Sequence, residues 1–304
     1  ALSKPIFPLS PGVGWIFTGR LLDRIGKGIR GAPRDALIAD VTPLELRGSA
    51  YGLRQSLDSV GAFIGPLLAI ALLVVFANDI RLVLWFAVIP AVLSVLILVV
   101  AVTEVATPSA DRKALAWRAV TRLRAHYWWV VSLGVVFTLA RFSEAFLIIH
   151  GQNLGLGLTF APLVLIVLGI TYALSAYPAG FISDRISARS LLLAGLACLT
   201  IADCVLAAAA APGMVLLGAG LWGVHLGLTQ GLLNKLVADT APVKLRGTAF
   251  GIFNLASGLA LLSASVIAGL LWDRVGPAAT FVVGAGFAAV AMLGVVVTAT
   301  KPAS

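Results

Sequence analysis

Leu37-Ile-Ala-Asp-Val-Thr-Pro-Leu-Glu-Leu-Arg-Gly-Ser-Ala-Tyr-Gly52 recurs 199 positions later as Leu236-Val-Ala-Asp-Thr-Ala-Pro-Val-Lys-Leu-Arg-Gly-Thr-Ala-Phe-Gly251, with nine of the sixteen positions identical. Most of the rest are conservative exchanges, Ser49 for Thr248 and Tyr51 for Phe250 among them. Each copy leaves one apolar stretch and enters the next, which makes it a polar connection at a membrane surface. A repeat of such long period marks duplicated halves of one fold.

The apolar stretches around the copies settle the class. The 304-residue chain is 60% hydrophobic and 12% charged, with a mean hydropathy of +1.03, whereas charged residues make up about a quarter of a soluble domain. Spans long enough to cross a bilayer, roughly 20 residues each, run over 11–31, 49–76, 81–102, 126–149, 160–182, 190–211, 213–234, 248–271 and 278–299. Their length and lack of alternation predict helices rather than barrel strands. The net charge of +9 sorts by side instead of marking a nucleic-acid partner: assigning alternate loops to opposite faces puts sixteen Lys and Arg on one side and only Lys4, Arg81 and Arg274 on the other. The positive-inside rule makes the richer side, which carries both repeat loops and the C-terminus, cytoplasmic, at a cell (inner) membrane.

The longest polar interval, 103–125, carries the basic run Arg112 to Arg124 and divides the chain into a partial helical half at 1–102 and a six-span half at 126–304. The repeat offset predicts that three further helices precede the first span. Gly180-Phe-Ile-Ser-Asp184-Arg185-Ile-Ser-Ala-Arg189 resembles the cytoplasmic loop motif G-x-L-A-D-R-x-G-R-R of the major facilitator superfamily. Arg20 resembles the Arg of that family's fourth-helix motif, followed here by Asp23-Arg24-Ile-Gly-Lys-Gly28 in place of Gln-Gly. Gly61-Ala-Phe-Ile-Gly65-Pro66 resembles its antiporter motif G-x-x-x-G-P, with Ala69-Ile70 in place of the closing Gly pair. The resemblance implies an all-α polytopic fold, covering the last nine of twelve helices, in which two halves rock around a midplane site. It assigns Gly180, Asp184, Arg185 and Arg189 to holding the halves together on the cytoplasmic side. It also makes Arg20 a proton-coupling residue that sets the pKa of a nearby carboxylate, here Asp23, and makes the fourth span a cavity-lining helix.

The residues themselves point to function in two places. In the repeated loop, Pro43 and Pro242 break the incoming helix, and Gly48 and Gly247 let the next begin close to its neighbours. Arg47 and Arg246 are placed to meet Asp40 and Asp239 across a turn, as a latch between helix ends. Inside the spans, ionisable groups are costly unless paired or wetted. Arg54 and Asp58 share one helix face, Asp58 roughly 13 Å in from Ser49 and near the midplane. Arg20, Asp23 and Arg24 form a second cluster. Arg141 and Glu144, three apart, form a third, with His150, Gln152 and Asn153 beyond as a vestibule. Asp203 is expected to be neutral or locally bonded, and His225, Gln230 and Asn234 are packing or cavity residues.

The predicted activity is therefore secondary active transport of a small solute by alternating access. Proton coupling follows from Asp23, Asp58 and Glu144 each having a basic neighbour, and the partial antiporter motif points toward efflux. The rival reading is a non-transporting membrane scaffold or sensor, or a truncated remnant of a transporter. An enzyme is disfavoured because no nucleophile–base pair, metal-ligand spacing or cofactor motif is present. Gly26-Lys-Gly28-Ile-Arg-Gly31 matches G-x-G-x-x-G but lacks the strand and βαβ unit a dinucleotide needs. The three His show no metal spacing, and Cys198 and Cys204 imply no disulfide framework.

Overall fold

The computed structural model describes residues 3–77, 79–101, 123–157 and 160–298. The inter-half loop, most of which falls at 102–122, and the side chains of Arg20, Arg24 and Pro66 lie outside the described residues, and so do the expectations resting on them.

In chain order the helices are α1 (Val13–Val41), α2 (Arg47–Val75), α3 (Ile80–Phe86), α4 (Val88–Ala101), α5 (Ala125–Leu139), α6 (Ala145–Asn153), α7 (Pro162–Ser183), α8 (Ala188–Ala207), α9 (Pro212–Thr240), α10 (Arg246–Arg274) and α11 (Pro277–Thr298). No strand occurs among the described residues. Seven of their helical segments, the α3–α4 pair counting as one, are long and apolar enough to cross a bilayer. The chain divides into two compact units, one of residues 1–34 and 64–114 and one of residues 35–63 and 115–304, so α1 and α2 each contribute to both.

In the first unit a 3-10 turn at Lys4–Ile6 packs on α3 and α4. Asp79 caps α3 by accepting from the Leu82 N–H at 3.1 Å, and Phe76 stacks on Phe86 with centroids 5.0 Å apart. In the second unit α9 packs against α7 and α8, α8 against α11, and α5 against α10.

The first and fourth spans differ from the sequence expectation in ways that bear on the site. The first span, predicted over 11–31, continues as helix to Val41 through Pro33. Pro33 removes one backbone donor without ending the helix, and the extension places Asp35 and Asp40 on α1. The fourth span, predicted as continuous over 126–149, breaks at Ala140–Glu144 between α5 and α6. Thr138 Oγ1 bonds back to the Gly134 carbonyl at 2.7 Å, an arrangement that competes with the helical ladder. The groups freed by the break find side-chain partners: Ser265 Oγ accepts from Ser143 N at 3.2 Å and Ser143 Oγ from Ala145 N at 3.3 Å. In a bilayer such replacement is what makes interrupted backbone tolerable.

The tightest packing in the second unit is backbone against backbone. A Cβ on Gly52 would lie 2.6 Å from the Ala176 carbonyl oxygen and 2.9 Å from Gly180 Cα. One on Gly48 would lie 2.6 Å from the Gly180 carbonyl oxygen and run into Ser183 Oγ. Gly48 and Gly52 on α2 thus face Ala176 and Gly180 on α7, a pair of small-x-x-x-small stripes that lets membrane helices close to van der Waals contact of their backbones. The expectation that both repeat glycines serve close approach holds at Gly48 only, because a Cβ on Gly247 or Gly251 would meet nothing within 4 Å.

Gly180→Val is expected to destabilise the fold by about 1–3 kcal/mol, the usual range for overpacking. Gly251→Val is expected to cost far less. Thermal unfolding of the two variants in detergent checks the difference.

Candidate functional site

The repeat loops meet in the second unit through crossed ion pairs. Arg47 Nη1 lies 2.6 Å from Asp239 Oδ1, and Arg246 Nη1 lies 2.5 Å from Asp40 Oδ1. Both guanidiniums also donate to the Ala39 carbonyl, at 3.1 and 3.2 Å. The expected pairing of Arg47 with Asp40 and Arg246 with Asp239 within each copy is therefore replaced by an exchange between copies. Extended Pro43 and Pro242 and the 3-10 turns after them separate Asp from Arg within a copy. The facing copy supplies the nearer carboxylate. Tyr51 and Phe250, equivalent positions, complete the contact with ring centroids 6.1 Å apart.

Asp184 organises the same face. Its Oδ1 accepts from Gly48 N at 2.9 Å, and its Oδ2 accepts from Ser49 N and Ser49 Oγ, both at 2.8 Å. Lys235 Nζ donates to Oδ1 at 2.7 Å and to the Ser183 carbonyl at 2.8 Å. Asp184 caps the start of α2, where two orphan N–H groups and the positive pole of the helix meet a carboxylate. Burial alone raises its pKa, but the Lys235 ammonium and the Ser49 and Gly48 donors outweigh burial and hold the carboxyl below the usual carboxylate range. Of the neighbouring motif residues, Arg185 lies 4.0 Å over the Phe181 ring and Arg189 donates to the Val296 carbonyl at 3.1 Å.

A polar layer lies farther along α2. Arg54 Nη2 bonds Asp58 Oδ2 at 2.9 Å, the expected i,i+4 pair, and Arg54 Nη1 lies 3.6 Å from Asp35 Oδ1 on α1. Asp35 is buried and Asp58 half-exposed. Ser56 Oγ donates to the Ala173 carbonyl of α7 at 2.7 Å. Arg141, expected with Glu144 as a cluster on one continuous span, sits instead on the non-helical break. The Gln230 carboxamide oxygen on α9 accepts from Arg141 Nη1 and Nη2 at 2.5 and 2.8 Å. The other side of that contact is the Gln55 carboxamide, 3.4 Å from Gln230. Glu144 is exposed and forms no ion pair within 4.0 Å among the described residues, although its field reaches Arg141. Tyr172 of α7 lies within electrostatic reach of Arg141, Arg54, Asp58 and Glu144. The break thus joins two of the predicted charge clusters through Gln230 and Gln55.

Other candidates lie elsewhere. Asp23 pairs with Lys4 at 3.2 Å and Lys27 at 3.6 Å, in a cleft of the first unit that Arg30 and Ser94 also line. A Cβ on Gly61 or Gly65 of the antiporter-like motif would meet nothing within 4 Å. His150 and His225 are buried packing residues bonded to the carbonyls of Leu206 and Gly195, at 2.9 and 2.8 Å. Asp203 is fully buried in space left by Gly284, whose Cβ would lie 2.7 Å from Asp203 Oδ2. No metal-binding group of three His, Cys, Asp or Glu occurs among the described residues.

The model of the Major Facilitator Superfamily matches residues 1–166 and 134–304, so the chain belongs to that family. Its family and fold are those of a multi-pass membrane transporter rather than an enzyme. An uncharacterized MFS-type transporter of Methanocaldococcus jannaschii is 29% identical over 303 residues, taking in 96% of this chain and 75% of that protein. An uncharacterized protein of Mycobacterium tuberculosis is 27% identical over 270 residues, 86% of this chain and 66% of that protein. The crystal structure of the human organic anion transporter MFSD10 (TETRAN) superposes with a TM-score of 0.72 at 18% identity, covering 97% of this chain and 74% of that one.

Asp35, Gln55, Tyr172 and Lys235 were not singled out from sequence. Asp35 and Lys235 lie beyond the first and seventh predicted apolar spans, where charge carries no signal of burial. Tyr172 sits in an apolar run as one polar tip among many carbons. The stripes Gly48-x-x-x-Gly52 and Ala176-x-x-x-Gly180 were the signal that brings α2 and α7 together.

A double-mutant cycle of Arg47→Gln with Asp239→Asn is expected to show a coupling of about 1 kcal/mol or more, and one of Arg47→Gln with Asp40→Asn much less. Because the Asp184 pKa is lowered in the fold, its stabilisation is complete above the ordinary carboxylate pKa and fades as pH falls through the lowered value. Asp184→Asn is therefore expected to reduce stability near pH 7 by about 1–3 kcal/mol and to flatten the loss of stability on going below about pH 4. Melting curves across that pH range check both effects.

Proposed function

We propose that this protein is a proton-coupled secondary transporter that carries a small solute by alternating access around the polar layer of α2, the α5–α6 break, α7 and α9. The observation that carries this reading is Arg54 held between Asp35 and Asp58, at 3.6 and 2.9 Å. Protonating half-exposed Asp58 releases Arg54 toward Asp35 and changes the charge facing the solute without leaving the guanidinium unpaired. A discontinuous helix beside such a layer at membrane depth is a setting typical of transporter sites.

The crossed Arg47–Asp239 and Arg246–Asp40 pairs, with Asp184 on the start of α2, act as the gate that is made in one access state and broken in the other. The excess of basic residues on the repeat-loop side supports a cytoplasmic location for this gate and for the C-terminus, in the cell (inner) membrane. The Gly61–Pro66 pattern supports antiport, with the solute leaving as protons enter. Arg20 and Asp23 form a second coupling group, with Lys4 and Lys27 the cations beside Asp23.

In proteoliposomes, Asp58→Asn is expected to abolish pH-gradient-driven flux while leaving solute exchange at equal pH largely intact. Gradient-driven flux undiminished in that variant would remove Asp58 from coupling.

A further inference from the structure

The polar layer holds two guanidiniums in different circumstances. Arg54 has carboxylates at 2.9 and 3.6 Å. Arg141 has none within 4.0 Å among the described residues, and its guanidinium donates instead to a neutral carboxamide, that of Gln230. Both of its terminal nitrogens are turned onto one oxygen, at 2.5 and 2.8 Å. A carboxylate presents two oxygens to the same fork and matches it better than an amide carbonyl does.

Arg141 also lies off the regular helices. It belongs to the Ala140–Glu144 break, so its backbone is not locked in a helical ladder. It is neither fully buried nor fully exposed, and the next charged residue, Glu144, is exposed. Tyr172 adds a phenolic hydroxyl in the same neighbourhood.

We infer that Arg141 is the recognition point for an anionic substrate, one carrying a carboxylate, and that Gln230 occupies the guanidinium as a neutral placeholder until the substrate displaces it. This rests on the transport reading and names its substrate class. The released Gln230 carboxamide turns toward Gln55 on α2, already 3.4 Å away. Anion binding on the break is thereby transmitted to the helix that carries Arg54 and Asp58.

The test uses the full chain in detergent with benzoate as probe and its uncharged counterpart benzamide as control, at matched ionic strength. Benzoate is expected to raise the melting temperature and benzamide to leave it unchanged. Arg141→Gln is expected to weaken benzoate binding roughly ten- to hundred-fold, the loss of a charge-assisted bidentate contact, and Arg141→Lys to restore part of it. Gln230→Ala removes the competitor and is expected to tighten benzoate binding several-fold, which a purely structural Arg141–Gln230 contact would not do. Equal shifts from benzoate and benzamide, or benzoate binding indifferent to both Arg141→Gln and Gln230→Ala, overturn the inference. Flux in proteoliposomes separates the two levels. Benzoate that binds through Arg141 but does not cross sinks the transport reading and with it the claim that the anion is a substrate. Neutral solutes that cross while benzoate fails to bind leave transport standing and sink the anion site.

Discussion

The contact of α2 with α7 at Gly48, Gly52, Ala176 and Gly180 constrains everything around it. Only glycine lets the two backbones come this close, and the closeness brings the Asp184 carboxylate within 2.9 Å of the Gly48 N–H. A side chain at any of these glycines would push the helix start away from its cap. The Lys235 ammonium would then be left with a carboxylate whose other partners had withdrawn. Packing and electrostatics are in this way one interaction, since the small residues set the distance at which the charge–dipole contact works.

The bilayer explains why the remaining polar groups are arranged as they are. Each charge described along α2 is matched: Arg47 to Asp239, and Arg54 to Asp35 and Asp58. The interrupted backbone between α5 and α6 is matched in turn by Ser143 and Ser265 hydroxyls. Arg141 differs because its bonded partner is neutral. A guanidinium held by an amide loses less when its partner leaves than one held by a carboxylate, and that makes it the member of the layer best suited to exchange partners with a ligand.

The duplicated loops show how equal sequences acquire unequal roles. Gly48 and Gly247 occupy equivalent positions in the repeat, yet the first is pressed against α7 and the second has open space around it. Tyr51 donates to the Asp35 carbonyl at 2.6 Å, whereas Phe250 at the matching position has no hydroxyl and contributes only its ring. The repeat fixes which residues are available at each loop. The neighbours decide what each copy does.

From the sequence alone came the membrane class, the helical spans, the duplication and the Arg54–Asp58 pair, because hydrophobic length, long-period similarity and i,i+4 spacing are all properties of the chain read in order. Helix ends were less legible: Pro33 did not stop α1, and the α5–α6 break has no proline or glycine within it to announce it. Only the tertiary structure decided that the latch is crossed, that Asp184 caps α2, and that Arg141 turns to Gln230 instead of Glu144. The physical reason is common to all three. Each sets a partner near in sequence against one far along the chain, and in a low-dielectric medium the partner that wins is the one that packing brings nearest, even from more than a hundred residues away, as with Asp184 and Gly48.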